Sequence, residues 1–144
     1  MAEGVFRSTV SKSPHQHLIS EVDSCGTGAY HLGSSPDSRT MSTLEDHGIT
    51  DYDHEARKIQ TSDFQRFDYI FAMDRDNLRD LQRIQQRAEG KAKLMLFGEF
   101  GGKKKAEEVI DPYYGARDGF DIAYEQCVRF SKNFLKETFP DVDP

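Results

Sequence analysis

The stretch Tyr69-Ile70-Phe71-Ala72-Met73 constrains the fold more than any other. It is an apolar run of strand length, with Asp68 before it and Asp74 after it. It does not alternate apolar and polar residues, so it is not a strand with one wet face. A strand buried on both faces belongs to a parallel sheet covered by helices. Asp74 is placed to cap a following helix in which Leu78, Leu81 and Ile84 recur on one side. A second strand-like run, Lys93 to Phe97, follows that helix, and a third is read at residues 18–24. Strands alternating with helices indicate an α/β domain with a parallel sheet.

The helical segments carry their own signals. Val5, Phe6, Thr9 and Val10 are spaced for a helix over residues 2–12, before Pro14. A helix from about Asp37 to His47 turns Met41 and Leu44 inward and stops at Gly48. Thr61-Ser62-Asp63 supplies capping chemistry for a short helical turn carrying Phe64. Residues 119–138 form the last helix, with an apolar stripe of Phe120, Ala123, Tyr124, Cys127, Phe130, Phe134 and Leu135. No repeat or linker divides the chain, so residues 1–144 read as one domain.

Composition removes several function classes. The net charge of -6 gives no electrostatic footprint for nucleic acid. No apolar run approaches a membrane span. Cys25 and Cys127 have neither metal-site nor disulfide spacing, so a reducing, cytoplasmic setting is expected, with each thiol a small buried hydrophobe. His15, His17, His31, His47 and His54 suggest no cluster, and no metal site or cofactor site is read. Oligomeric state is not legible.

Chemistry concentrates in Asp111-Pro112-Tyr113-Tyr114-Gly115. Proline holds the preceding aspartate extended. A carboxyl beside aromatic rings has its pKa raised and can serve as a general acid near neutral pH. An ordinary turn with two half-buried tyrosines accounts for the pentapeptide equally simply.

The stretches Met1-Ala2-Glu3-Gly4-Val5-Phe6-Arg7, Asp23-Ser24-Cys25-Gly26-Thr27-Gly28, Asp37-Ser38-Arg39, His54-Glu55-Ala56-Arg57, Phe67-Asp68-Tyr69-Ile70-Phe71-Ala72-Met73-Asp74 and Asp111-Pro112-Tyr113-Tyr114 occur in this order. Together they resemble the low-molecular-weight protein-tyrosine phosphatases, most closely the fungal type. The resemblance implies a doubly wound parallel sheet of four strands in the order 2-1-3-4. It implies hydrolysis of phosphotyrosine or aryl phosphates through a cysteinyl-phosphate intermediate, without metal or cofactor. It casts Asp111 as the general acid and base, with Tyr30, Tyr113 and Tyr114 lining the aryl pocket. It casts Ser24, His54 and Arg57 as supports of the phosphate loop.

One departure stands out. The family signature is Cys, five residues, Arg, then Ser or Thr, after the first strand. Position six beyond Cys25 is His31, and beyond Cys127 it is Asn133. The expectation is a domain incomplete at its N-terminus, lacking its first, central strand and the phosphate loop, and inactive as written. Phosphotyrosine proteins or small aryl phosphates are then partners only of a completed form. A non-enzymatic isoform or fragment, and an arsenate-reductase-like protein, are the alternatives.

Overall fold

The structure, a computed structural model, describes residues 1–26, 38–50, 57–102, 105–109 and 119–140. Its elements are α1 (Ala2–Ser11), a 3-10 turn (Gln16–Leu18), α2 (Ser38–Asp46), α3 (Asp63–Arg66), β1 (Tyr69–Ala72), α4 (Arg75–Gln85), β2 (Lys93–Leu96) and α5 (Gly119–Thr138). The expected last helix agrees with α5 at both ends.

β1 and β2 pair in parallel, with Tyr69 opposite Lys93 and Ala72 opposite Leu96. The amide of Lys93 donates to the Asp68 carbonyl, and that of Phe97 to the Ala72 carbonyl, both at 2.9 Å. Even-numbered residues of β1 therefore turn their backbone groups to β2. In a parallel ladder the odd-numbered residues face the opposite edge, so Tyr69 and Phe71 direct their peptide groups away from β2.

Alternation of side chains places the layers. Ile70 and Ala72 pack with Ile59, Phe64, Leu81 and Leu96 on the α4 side. Tyr69 and Phe71 face the α1 and α5 side. Phe134 of α5 is the hub there. Its ring centroid lies 5.0 Å from Tyr69, 5.1 Å from Phe71, 5.2 Å from Phe100 and 5.8 Å from Phe6. The first three contacts are edge-to-face, the arrangement that the ring quadrupole favours. A run without polar alternation thus sits between two helical layers, as its composition requires.

Local signals hold at several ends. The Asp74 carboxylate caps α4 by accepting from the Asn77 amide at 2.7 Å. Beyond α2, Gly48 takes φ +81°, a conformation that a side chain resists. Leu44 is fully buried, and Met41 packs against the same cluster.

Three expectations need correction. Residues 18–24 do not form a strand. The chain is a 3-10 turn to Leu18 and then runs without ladder pairing to Cys25. Its backbone groups go elsewhere: Arg7 Nη2 donates to the Val22 carbonyl at 2.6 Å, and the Ser24 amide to the Asp23 carboxylate at 2.8 Å. Only Gly26 pairs, in a parallel bridge with Lys58. Second, the sheet among the described residues has two strands, one fewer than the three read from the sequence. Third, Ser62 occupies the cap of α3 without a side-chain bond, its backbone at φ -62° and ψ -22° being helical where a capping residue is extended.

Phe134→Ala removes the hub from under β1. It is expected to cost about 3–5 kcal/mol, and Phe134→Leu clearly less, in urea unfolding of the chain. A cost below about 1 kcal/mol for the alanine variant would mean that the aromatic cluster does not hold the sheet to α5.

Candidate active site

A cleft of about 570 Å³ opens between the unpaired stretch 18–26 and β1. Its floor is apolar and includes Phe6, Phe71, Phe97 and Phe134. One end is formed by Met1, Ala2 and Glu3 at the start of α1, and the opposite wall by Arg57 and Asp63. One long wall is the stretch 18–26 and the other is the edge of β1 that faces away from β2.

Charged groups fasten the outer wall at two places. On the α1 side, Ser24 Oγ donates to Glu3 Oε1 at 2.9 Å, and Glu3 Oε2 lies 3.1 Å from Arg7 Nε. On the other side, Arg57 Nε donates to Asp23 at 2.9 Å, while its Nη1 and Nη2 reach the two Asp63 oxygens at 3.0 and 3.2 Å. The adjoining backbone is tied in register: the Gly26 amide donates to the Arg57 carbonyl at 2.9 Å, and the Ile59 amide to the Gly26 carbonyl at 2.8 Å. Arg57 is thus the junction of three segments. Asp63 and Asp23 hold its guanidinium more firmly charged than an ordinary arginine.

Burial works to raise the Asp63 pKa, but the hydrogen bonds from Arg57 and the Gln60 amide outweigh it and leave the carboxyl below its usual range. Asp63 and Glu3 escaped the sequence reading as parts of this wall. By sequence, Asp63 is part of a helix cap and Glu3 has no assigned role. Nothing in spacing alone shows that residues 3, 24, 57 and 63 converge.

The cysteines differ from each other. Cys127 is buried as expected, and burial pushes its thiol up to about 12. Cys25 is exposed, against expectation, because it lies on the unpaired wall rather than in a ladder. Desolvation around the sulfur pushes its thiol up to about 11, with Asp63 and Asp23 adding to the shift and Arg57 opposing it. Neither thiol is ionised near neutral pH, which is the form a nucleophile needs.

Of the sequence-predicted residues, Ser24 and Arg57 meet at this wall. Tyr30, Asp37, His54, Asp111, Tyr113 and Tyr114 lie outside the described residues. Among the described residues no group of three His, Cys, Asp or Glu is arranged to hold a metal ion, and no helix is long and apolar enough to cross a membrane.

The family model of the low molecular weight phosphotyrosine protein phosphatases matches residues 1–141. The chain belongs to this family. The phosphatase of that name from Schizosaccharomyces pombe is 51% identical over 136 residues, covering 94% of this chain and 86% of the relative. A drosophila arginine phosphatase superposes with a TM-score of 0.83 at 31% identity, covering 96% of this chain and 88% of that one. A protein tyrosine phosphatase from Entamoeba histolytica superposes at 0.82 with 33% identity, covering 98% and 89%. This member therefore shares the α/β fold with parallel sheet of solved family structures.

Asp63→Asn tests the Arg57 junction. It is expected to cost about 1.5–3 kcal/mol at pH 7, the range for hydrogen bonds to charged groups. The folded carboxyl binds its proton less tightly than the unfolded one. Its contribution is therefore full above the unfolded value of about 4 and is lost as pH falls below it. Melting curves across that range should show the gap between the two proteins closing in acid. A constant gap would remove the ionised Asp63 from the account.

Proposed function

We propose that this protein is a phosphomonoesterase for phosphotyrosine proteins and small aryl phosphates. The observation that carries the reading is family membership across residues 1–141. Asp111 is the general acid and base, and Tyr30, Tyr113 and Tyr114 line the aryl pocket. Ser24, His54 and Arg57 support the loop that holds phosphate, and the anchoring of Ser24 and Arg57 at the cleft wall fits that part. The setting is a reducing, cytoplasmic one.

The nucleophile is a thiolate with a low pKa, and neither Cys25 nor Cys127 has one. Neither is followed six residues on by arginine. We infer that a segment outside residues 1–144 brings the cysteine and the phosphate-binding arginine. The cleft supports this reading, because the peptide groups of Tyr69 and Phe71 face it, away from β2, across an apolar floor. An extended strand lying there pairs with them. The first turn of α1 at its end offers amides to an anion.

The reaction then runs in two steps. The thiolate attacks phosphorus, the phosphorus–oxygen bond to the aryl group breaks, and the leaving phenolate takes the Asp111 proton. Water next attacks the thiophosphate, giving its proton to the Asp111 carboxylate. The sulfur–phosphorus bond breaks and phosphate leaves. An arsenate-reductase-like reaction needs further redox cysteines, which the sequence does not offer.

Residues 1–144 alone are expected to give no vanadate-sensitive hydrolysis of p-nitrophenyl phosphate, whereas the form carrying the Cys-x5-Arg segment turns over. Turnover by residues 1–144 above a mock preparation would overturn the division of labour. In the longer form, Asp111→Asn should slow phosphotyrosine hydrolysis by roughly 10²–10⁴-fold. The loss should shrink for more acidic phenols, which leave with less help. The same fractional loss across a series of aryl phosphates would show that Asp111 is not the acid.

A further inference from the structure

Residues 105–109, which lead into Asp111, are held from four directions at the C-terminal ends of β1 and β2, where α/β folds place their chemistry. The Glu107 amide donates to the Gly98 carbonyl at 3.1 Å, just past β2. A Cβ on Gly98 would lie 1.8 Å from the Glu107 carbonyl oxygen, so the segment is seated against a glycine that no other residue can replace without displacing it. The Val109 amide donates to the Met73 carbonyl at 2.8 Å, just past β1. Arg75 at the start of α4 donates to Glu108 Oε1 at 2.6 Å. From α5, Gln126 Nε2 donates to the Glu108 carbonyl at 3.0 Å.

The strongest hold is Arg129. Its Nη1 and Nη2 form a fork on the two Glu107 carboxylate oxygens, the second at 3.0 Å. Its Nη1 also donates to the Gly101 carbonyl at 2.8 Å, and its Nε to Glu125 Oε1 at 3.0 Å. A planar guanidinium with donors committed on three sides fixes direction as well as distance. The fork grips Glu107, four residues before Asp111, and the Val109 amide bond to Met73 follows two residues before it.

We propose that Arg129, acting through Glu107, is a positioning residue for Asp111. The proposal rests on the reading of Asp111 as the general acid. The α5 helix holds residues 105–109 in one place relative to the strand ends, and a fixed approach to Asp111 spares the general acid a search for the leaving oxygen. Small misplacements of a reacting group are costly, so loosening that segment should weaken acid catalysis while leaving phosphate binding alone.

The test uses Arg129→Gln and Arg129→Lys in the form carrying the Cys-x5-Arg segment, each with Asp111 and with Asp111→Asn. Arg129→Gln is expected to lower kcat/KM for phosphotyrosine, which reports the step that expels the phenolate, about 10-fold, with a smaller loss on p-nitrophenyl phosphate. Inhibition by inorganic phosphate should stay unchanged. In the Asp111→Asn background Arg129→Gln should cost nothing more, because the acid it positions is gone. Arg129→Lys keeps the charge, loses the fork, and should fall between. Equal losses on both substrates, or the same loss with and without Asp111, would overturn the proposal. If Arg129→Gln does not fold, Glu107→Gln removes the fork from the other side and is read in its place.

Hydrogen exchange in residues 1–144 gives a readout that does not depend on turnover. The Glu107 and Val109 amides should exchange at least about tenfold faster in Arg129→Gln, with Lys93 and Phe97 unchanged. Unchanged exchange would overturn the clamp. A wild-type protein without turnover would overturn the proposed function and the catalytic role of Arg129 with it, leaving the exchange result to judge the clamp alone.

Discussion

The need to cover β1 on both faces, with Ala72 buried and Tyr69, Ile70 and Phe71 half-buried, is the constraint on which the rest of the structure depends. Four residues with apolar side chains on each side cannot be left in water, so helices must cover both. Ile70 and Ala72 commit one face to α4, and Tyr69 and Phe71 commit the other to α5 through Phe134. The direction of the strand then fixes where its C-terminal end opens. Met73, Asp74 and Arg75 stand there, and each holds something: the Val109 amide, the start of α4, and Glu108. The packing of one strand thereby carries over into the placement of the loop that leads to Asp111.

The site is built mainly from charge and backbone. The wall at 18–26 lacks a ladder, and the hydrogen bonds that a strand would have made are replaced by Glu3 and Arg7 on one flank and Arg57 with Asp63 on the other. Buried or half-buried ion pairs of this kind contribute little net stability, but they specify position. This is consistent with a wall kept in place beside an apolar cleft. The proposed role of Arg129 follows the same pattern on the other side of the sheet, where a carboxylate is gripped to steer backbone.

Much of the fold was legible because its signals are local. The apolar run 69–73, the Asp74 cap, the Gly48 stop and the α5 stripe each depend on neighbours within a few residues. The family was legible because six short stretches occur in order. What could not be read was convergence. Residues 18–24 have the composition of a strand, but being a strand requires a partner, and pairing is not a local property. Cys25 is expected to be buried only because a lone cysteine is usually a small buried hydrophobe. Its surroundings, not its neighbours in sequence, decide its exposure. The Glu3–Ser24 and Arg57–Asp63 contacts join segments whose spacing carries no period, and the hold of Arg129 on Glu107 spans 22 residues. Such contacts follow from the completed fold and leave no trace in a pattern.

The proposal that the cleft between residues 18–26 and β1 seats an extended segment bringing the nucleophile and the phosphate cradle is open to a direct test. Hydrogen exchange of the Tyr69 and Phe71 amides measures it most directly, because those groups face the cleft and not β2. They should exchange freely in residues 1–144, apart from any shielding by the aromatic cluster. In the form carrying the Cys-x5-Arg segment they should be protected by roughly a hundredfold or more, as for amides inside a sheet. Equal rates in the two proteins would contradict the account, since the segment would then lie elsewhere and the cleft would not be its seat.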